Sequence, residues 1–178
     1  MLPRLIILSD LWGKQKSDWV RLYEDKLTGI FDIQYYDCCD LGNIDISTYS
    51  QEDLHRQFIT FGIETAVQKL IQLEKQPFHV LSFSIGGIIA WKAALLGLPL
   101  ISFHAVSATR LRYENTILAI PIQLYFGMND RYKPSQGWNT LIGSENIQLC
   151  NNEAHEMYRK EKIADVVCKK IIQRIQYS

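Results

Sequence analysis

Three residues of this 178-residue chain, Ser84, Asp130 and His155, have the types that acyl-transfer chemistry needs. Serine is a poor nucleophile at its own pKa. A neutral imidazole must take its proton, and a carboxylate must hold that imidazole in the right tautomer. Ser84 stands in Ser82-Phe83-Ser84-Ile85-Gly86, between the apolar run from Val80 and the Gly86-Gly87 pair. Asp130 stands in Gly127-Met128-Asn129-Asp130-Arg131-Tyr132-Lys133-Pro134, and His155 follows 25 residues later. Singly, each has a plainer reading. Ser84 fits a small residue in a tight turn, Asp130 the start of a type I turn or a helix cap, and His155 a surface-loop histidine. Together they occur in order, each just past an apolar run, and that order points to chemistry.

The segments that would position them alternate between strand-like and helix-like patterns. Leu5 to Leu8, Phe31 to Tyr35, His79 to Phe83, Leu100 to Val106, Ile122 to Phe126 and Asn146 to Cys150 read as strands. Such alternation predicts a mostly parallel sheet with helices on both faces. A helix is expected from Gln51 to Gln76, with Ser50 as N-cap, Asp53 three residues on, and Leu54, Phe58, Ala66, Leu70 and Leu73 as its apolar stripe. A last helix, from about Tyr158 to Ile175, shows Ile163, Val167, Ile171 and Ile175 at steps of four. Cys38 to Tyr49 has no clear periodicity and reads as a loop. In open α/β sheets the ligand sits beyond the carboxyl ends of the strands. The polar residues there are Ser9 and Asp10, then Ser84, then Ser107 and Thr109, then Asp130, then Asn152, Glu153 and His155.

Composition narrows the function classes. Nineteen basic residues balance nineteen acidic ones without long like-charged runs, so no electrostatic footprint for nucleic acid or anionic lipid is expected. A neutral small molecule fits better. Cys38, Cys39, Cys150 and Cys168 have neither zinc-ligand spacing nor the density of a disulfide framework, and they read as thiols in a reducing compartment. The apolar run near the start is too short for a signal peptide, and Val80 to Phe103 is interrupted by Lys92, Pro99, the glycine pair and serines. A cytoplasmic protein without a membrane span is expected. His55, His79 and His104 read as helix-surface, strand-start and core residues, with no metal-ligand spacing among them. The glycine pair lacks the context of a phosphate-binding loop. Trp19, Trp91 and Trp138 read as core, and Trp12 as a strand-end residue.

With its motifs in this order, the chain resembles the α/β-hydrolase family over nearly its whole length. Ser82 to Gly86 matches the G-x-S-x-G nucleophile elbow with serine for the first glycine. Gly127 to Pro134 looks like the family's G-x-x-D-x-x-x-P acid loop, and His155 lies where its histidine loop is expected. The resemblance implies a minimal α/β-hydrolase fold: one domain over residues 1–178, about six mostly parallel strands, helices on both faces and no sizeable lid. It assigns Ser84 as nucleophile, His155 as base and Asp130 as the acid, with no metal or cofactor. The oxyanion hole would use the backbone N–H of Ile85 and one from the loop after the first strand. That loop departs from the family's H-G-x-G, reading Leu8-Ser9-Asp10-Leu11-Trp12-Gly13. Leu11 is the expected second donor and Trp12 the next choice, while Asp10 reads as the loop's turn residue in preference to a polar brace. Trp12, Phe83, Tyr113 and Met128 are expected to line the acyl pocket, beside Ile85. Two functions follow. The first is a serine hydrolase cleaving a small carboxylic ester or thioester, carrier-held acyl groups included, through an acyl-enzyme. The second, motivated by the altered loop, is a non-catalytic binding protein of the same fold.

Overall fold

All six apolar runs are strands in the computed structural model, which describes residues 2–176. They are β1 (Arg4–Leu8), β2 (Asp32–Tyr36), β3 (Phe78–Phe83), β4 (Leu100–Val106), β5 (Ile122–Gly127) and β6 (Ile147–Cys150). Every pairing is parallel, in the order β2-β1-β3-β4-β5-β6. The central strand β3 is buried along its whole length, which explains why its sequence is apolar rather than alternating. Strand order reverses between β1 and β3, so the loops leaving these two strands diverge and open a crevice. Ser9 to Gly13 and Ser84 flank that crevice.

Helices α1 (Arg21–Leu27), α2 (Cys38–Gly42), α3 (Gln51–Gln57), α4 (Ile63–Leu73), α5 (Ile85–Leu95), α6 (Gln136–Ile142) and α7 (Glu161–Gln176) surround the sheet. One face packs α2 to α6 through residues such as Phe58, Leu70, Ile88, Trp91 and Trp138. The other packs α1 and α7 through Tyr23, Leu27, Ile163, Val167 and Ile171. Among the described residues, no helix is long and apolar enough to cross a membrane. All four cysteines are free thiols, three of them buried.

Three expectations change. The helix from Gln51 is not regular to Gln76. A π-helical turn, Phe58–Gly62, separates α3 from α4, and α4 ends at Leu73. Gly62 sits against Ile44, and Gly42 approaches the Gly62 carbonyl closely. The π turn lies at the contact between α2 and this helix, a common way to shift a helix's phase locally. Leu54, Phe58, Ala66 and Leu70 are buried, but Leu73 is 55% exposed and leaves the stripe. Second, the presumed loop from Cys38 begins as helix α2. Asp37 caps it by accepting from the Cys39 N–H (2.6 Å), and Asn43 ends it in a left-handed conformation (φ 52°). Five residues are too few to display a period. Third, residues His155–Arg159 form a short 3-10 turn, and α7 starts only at Glu161.

Candidate active site

Strand β3 drives straight into Ser84, whose backbone is strained at φ 48°, ψ −113°. A non-glycine residue holds such a conformation only where its surroundings over-determine it. Here the Ser84 N–H donates to the Val106 carbonyl (3.1 Å) and the Ser84 carbonyl accepts from Gly87 and Thr109. The next two glycines permit the geometry. A Cβ on Gly86 would lie 2.7 Å from the Ser9 carbonyl oxygen, and one on Gly87 would overlap Ala108. Helix α5 therefore starts flush against the loops after β1 and β4. Ser82, in place of the family's first glycine, is fully buried and donates its hydroxyl to the His104 carbonyl (3.2 Å) of the neighbouring strand.

The acid and histidine loops are tied together before they reach the serine. Gly127 packs so closely on the Glu153 backbone that no Cβ fits, and the Met128 and Asn129 N–H groups donate to the carbonyls of Cys150 (2.9 Å) and Glu153 (2.8 Å). Asp130 uses one carboxylate oxygen to accept from the Tyr132 N–H (2.8 Å), so its turn role is real, and the other to hold His155 Nδ1 (2.8 Å). His155 Nε2 is 3.0 Å from Ser84 Oγ. The Asp130 side chain is fully buried while that of His155 is 23% exposed, so the imidazole edge is reachable from solvent. Tyr132 packs edge-on against His155, with ring centroids 5.2 Å apart.

The two N–H groups expected to serve the oxyanion have no hydrogen-bond acceptor among the described residues. That of Ile85 is the first of helix α5 and has no partner within the helix. That of Leu11 makes no hydrogen bond among the described residues. Trp12, the alternative donor, is corrected: its N–H is spent on Asp10 Oδ1 (2.9 Å). Asp10 is likewise more than a turn residue. Its fully buried carboxylate also accepts from Tyr158 Oη (3.0 Å) and Arg159 (3.3 Å), which lie just past His155. The chain's Ser9-Asp10 substitution thus braces the loop after β1 against the histidine segment. Burial pushes the Asp10 carboxyl above its ordinary value, against the lowering effects of the Trp12 N–H, Tyr158 and Arg159.

The expected pocket residues divide. Phe83 does not line a pocket. It is fully buried on the α1–α7 face, in ring contact with Trp19, Tyr23 and Tyr158, because strand alternation turns it from the crevice. Ile85 is buried on the opposite face of the sheet. Trp12 is half-buried and meets Tyr49 edge-on at 5.5 Å, while Tyr49 donates its hydroxyl to the Trp12 carbonyl. Tyr113 and Met128 are exposed, in the segments after β4 and β5. Tyr132, Tyr158 and Arg159 were missed as site residues. They occupy no motif position, and their roles depend on loop geometry that the sequence does not display.

No protein-family model matches the sequence, and no curated protein does. Solved structures do match. A protein from Xanthomonas campestris assigned to the alpha/beta hydrolase superfamily aligns over 97% of this chain and 99% of its own, with a TM-score of 0.71 at 16% identity. Alpha/beta hydrolase domain-containing protein 10 from mouse aligns over 99% and 91%, with a TM-score of 0.70 at 11% identity. Est1E from Butyrivibrio proteoclasticus, also solved with ferulic acid bound, aligns over 98% and 89%, with a TM-score of 0.60 at 11% identity. At such identities the likeness is one of fold, and the chain has the α/β-hydrolase fold.

Proposed function

We propose that this chain is a serine hydrolase that cleaves a small carboxylic ester or thioester through an acyl-enzyme. The observation that carries the reading is the continuous chain from Asp130 Oδ2 through His155 to Ser84 Oγ, at 2.8 and 3.0 Å, ending on a strained serine at the start of a helix. Ser84 Oγ attacks the acyl carbonyl as His155 Nε2 takes its proton. The carbonyl oxygen becomes an oxyanion facing the Ile85 and Leu11 N–H groups, and Asp130 stabilises the imidazolium through Nδ1–H. The tetrahedral adduct expels the alcohol or thiol with the proton from His155. Water then repeats the cycle on the acyl-serine, releasing the acid and restoring Ser84. No residue role in this sequence calls for a metal or cofactor.

Similarity to Est1E adds weight, since ferulic acid, the ligand in that protein, is a carboxylic acid of the kind ester cleavage releases. The segment between β4 and β5 holds only one short 3-10 turn, Leu111–Tyr113, which suits an open site without a lid and substrates as large as carrier-held acyl groups. A fluorophosphonate probe tests the proposal: it should label Ser84, and labelling should vanish in Ser84→Ala and fall sharply in His155→Ala. Folded protein that takes no label would instead favour a binding protein built on the same fold.

A further inference from the structure

Cations gather on the loops around Ser84, and each is laid on an aromatic ring. Lys16 Nζ lies 3.7 Å from the centroid of Trp12 and 4.9 Å from that of Tyr49. The Arg110 guanidinium lies 5.2 Å from Tyr113, and that of Arg112 lies 4.5 Å from Tyr113 and 5.7 Å from Tyr132. Arg131 lies 4.7 Å from Tyr132. Among the described residues none of the four forms an ion pair.

Their positions follow from the topology. In an all-parallel sheet the loops after β1, β4 and β5 leave by one edge, the edge of Ser84. Lys16 covers Trp12, next in the chain to Leu11. Arg110 follows Thr109, whose N–H donates to the Ser84 carbonyl (3.1 Å), and it stands in a left-handed conformation (φ 68°). Arg112 donates to the Tyr132 carbonyl (3.2 Å), and the Tyr132 ring packs on His155. The carboxylates of these loops are committed elsewhere. Asp130 holds His155, Asp10 holds Tyr158 and Arg159, Glu114 faces Lys92 at 3.2 Å, and Glu156 faces Arg159 at 3.3 Å. A chain of zero formal net charge therefore places four cations, in no ion pair among the described residues, on the loops at this edge.

We infer that this edge binds an anionic group, a carboxylate or phosphate, carried by the substrate beyond its scissile bond. Guanidinium groups propped on aromatic faces are oriented yet have no carboxylate partner, though Arg112 and Arg131 also donate to tyrosine oxygens, and their planar donor pairs match the oxygens of such anions. A cation at an aromatic face is held by only about 0.5–1 kcal/mol at exposed sites, so an arriving anion recruits it at little cost. This inference rests on the hydrolase reading, in which the group emerging from the site belongs either to the acyl chain or to the leaving group.

Binding to Ser84→Ala protein tests it without requiring turnover. Two ester pairs are compared by Trp12-sensitive fluorescence or calorimetry. One is a monoalkyl ester of glutaric acid against the dialkyl ester, with the charge on the acyl side. The other is S-butyryl phosphopantetheine against S-butyryl pantetheine, with the charge on the leaving group. The charged member of at least one pair should bind about tenfold or more tightly, with the advantage shrinking as salt shortens the Debye length. Lys16→Gln and Arg110→Gln, on separate loops, should each reduce the advantage, while Lys170→Gln on α7 should not. Equal binding within both pairs, or an advantage untouched by both rim variants, overturns the inference. Absent Ser84 labelling would overturn the hydrolase reading alone.

Discussion

At the residue scale, the proposed chemistry would use two hydrogen bonds and two backbone N–H groups, and each makes a different prediction. Ser84→Ala or His155→Ala removes a member of a unit that acts together, so either should cost most of the chemical acceleration, on the order of a millionfold in an efficient triad. Both variants should stay folded by circular dichroism. Esterase activity of Ser84→Ala within about tenfold of the parent would refute the nucleophile assignment, since tenfold is only about 1.4 kcal/mol of barrier. Leu11 is the proposed second donor because Asp10 occupies the Trp12 N–H. Leu11→Ala keeps the backbone donor and should keep measurable turnover. Leu11→Pro removes it and should lower kcat a further hundredfold or so, provided the protein folds. Equal rates for the two variants would remove Leu11 from the oxyanion hole. The meeting of Ser84, His155 and Asp130 was legible in the sequence because the three follow strand ends in one order. The Asp10 bridge was not, since Tyr158 and Arg159 are 148 and 149 residues away and meet it only through the fold.

At the element scale, the site is a junction of segments held close by small residues and one buried carboxylate. Helix α5 starts against the loop after β1 because Gly86 has no Cβ to meet the Ser9 carbonyl at 2.7 Å. Gly86→Ala should therefore push α5 from β1 at a cost of about 1–3 kcal/mol, and it should slow labelling of Ser84 more than its stability loss alone explains. Urea titration beside labelling rates checks both, and an unchanged labelling rate would show that α5 can yield without moving the serine. Asp10→Ala would remove the shared acceptor of the Trp12 N–H, the buried Tyr158 hydroxyl and the part-exposed Arg159 guanidinium. The expected loss is about 2–3 kcal/mol, together with lower kcat, because the Leu11 loop and the histidine segment lose their common anchor. The inner strands were legible because burial on both faces of a parallel sheet writes them as mainly apolar runs. The π turn at Phe58–Gly62 and helix α2 were not, because one is a local phase shift set by Ile44 and Gly42, and the other is too short to carry a period.

At the scale of the whole molecule, two buried carboxylates beside the site should bend the pH–stability profile in opposite senses. Glu153 is 2% exposed and lies at 2.6 Å from Lys160 and 2.5 Å from Lys162, and these ammonium groups hold its carboxyl below the ordinary value of 4.5. A depressed folded-state pKa contributes stability that is present above the unfolded value and lost as pH falls through the folded one. Glu153→Gln should thus be less stable than the parent near neutrality, and the gap should close as pH falls below 4.5. Asp10 behaves oppositely. Burial raises its carboxyl above the ordinary 3.8, so its contribution is fully present below 3.8 and is lost as pH rises through the folded value. Asp10→Asn should therefore compare least favourably with the parent in acid and gain on it as the solution is brought toward neutrality. Thermal melts of the three proteins across the acid range resolve the two slopes, because Glu153 and Asp10 share no hydrogen-bond partner and their effects should nearly add. A parent-to-variant gap that stays constant with pH for Glu153→Gln would mean that Lys160 and Lys162 do not hold that carboxylate in solution. The histidine loop would then owe its place to the backbone bonds from Met128 and Asn129 and to the Asp130 and Asp10 contacts.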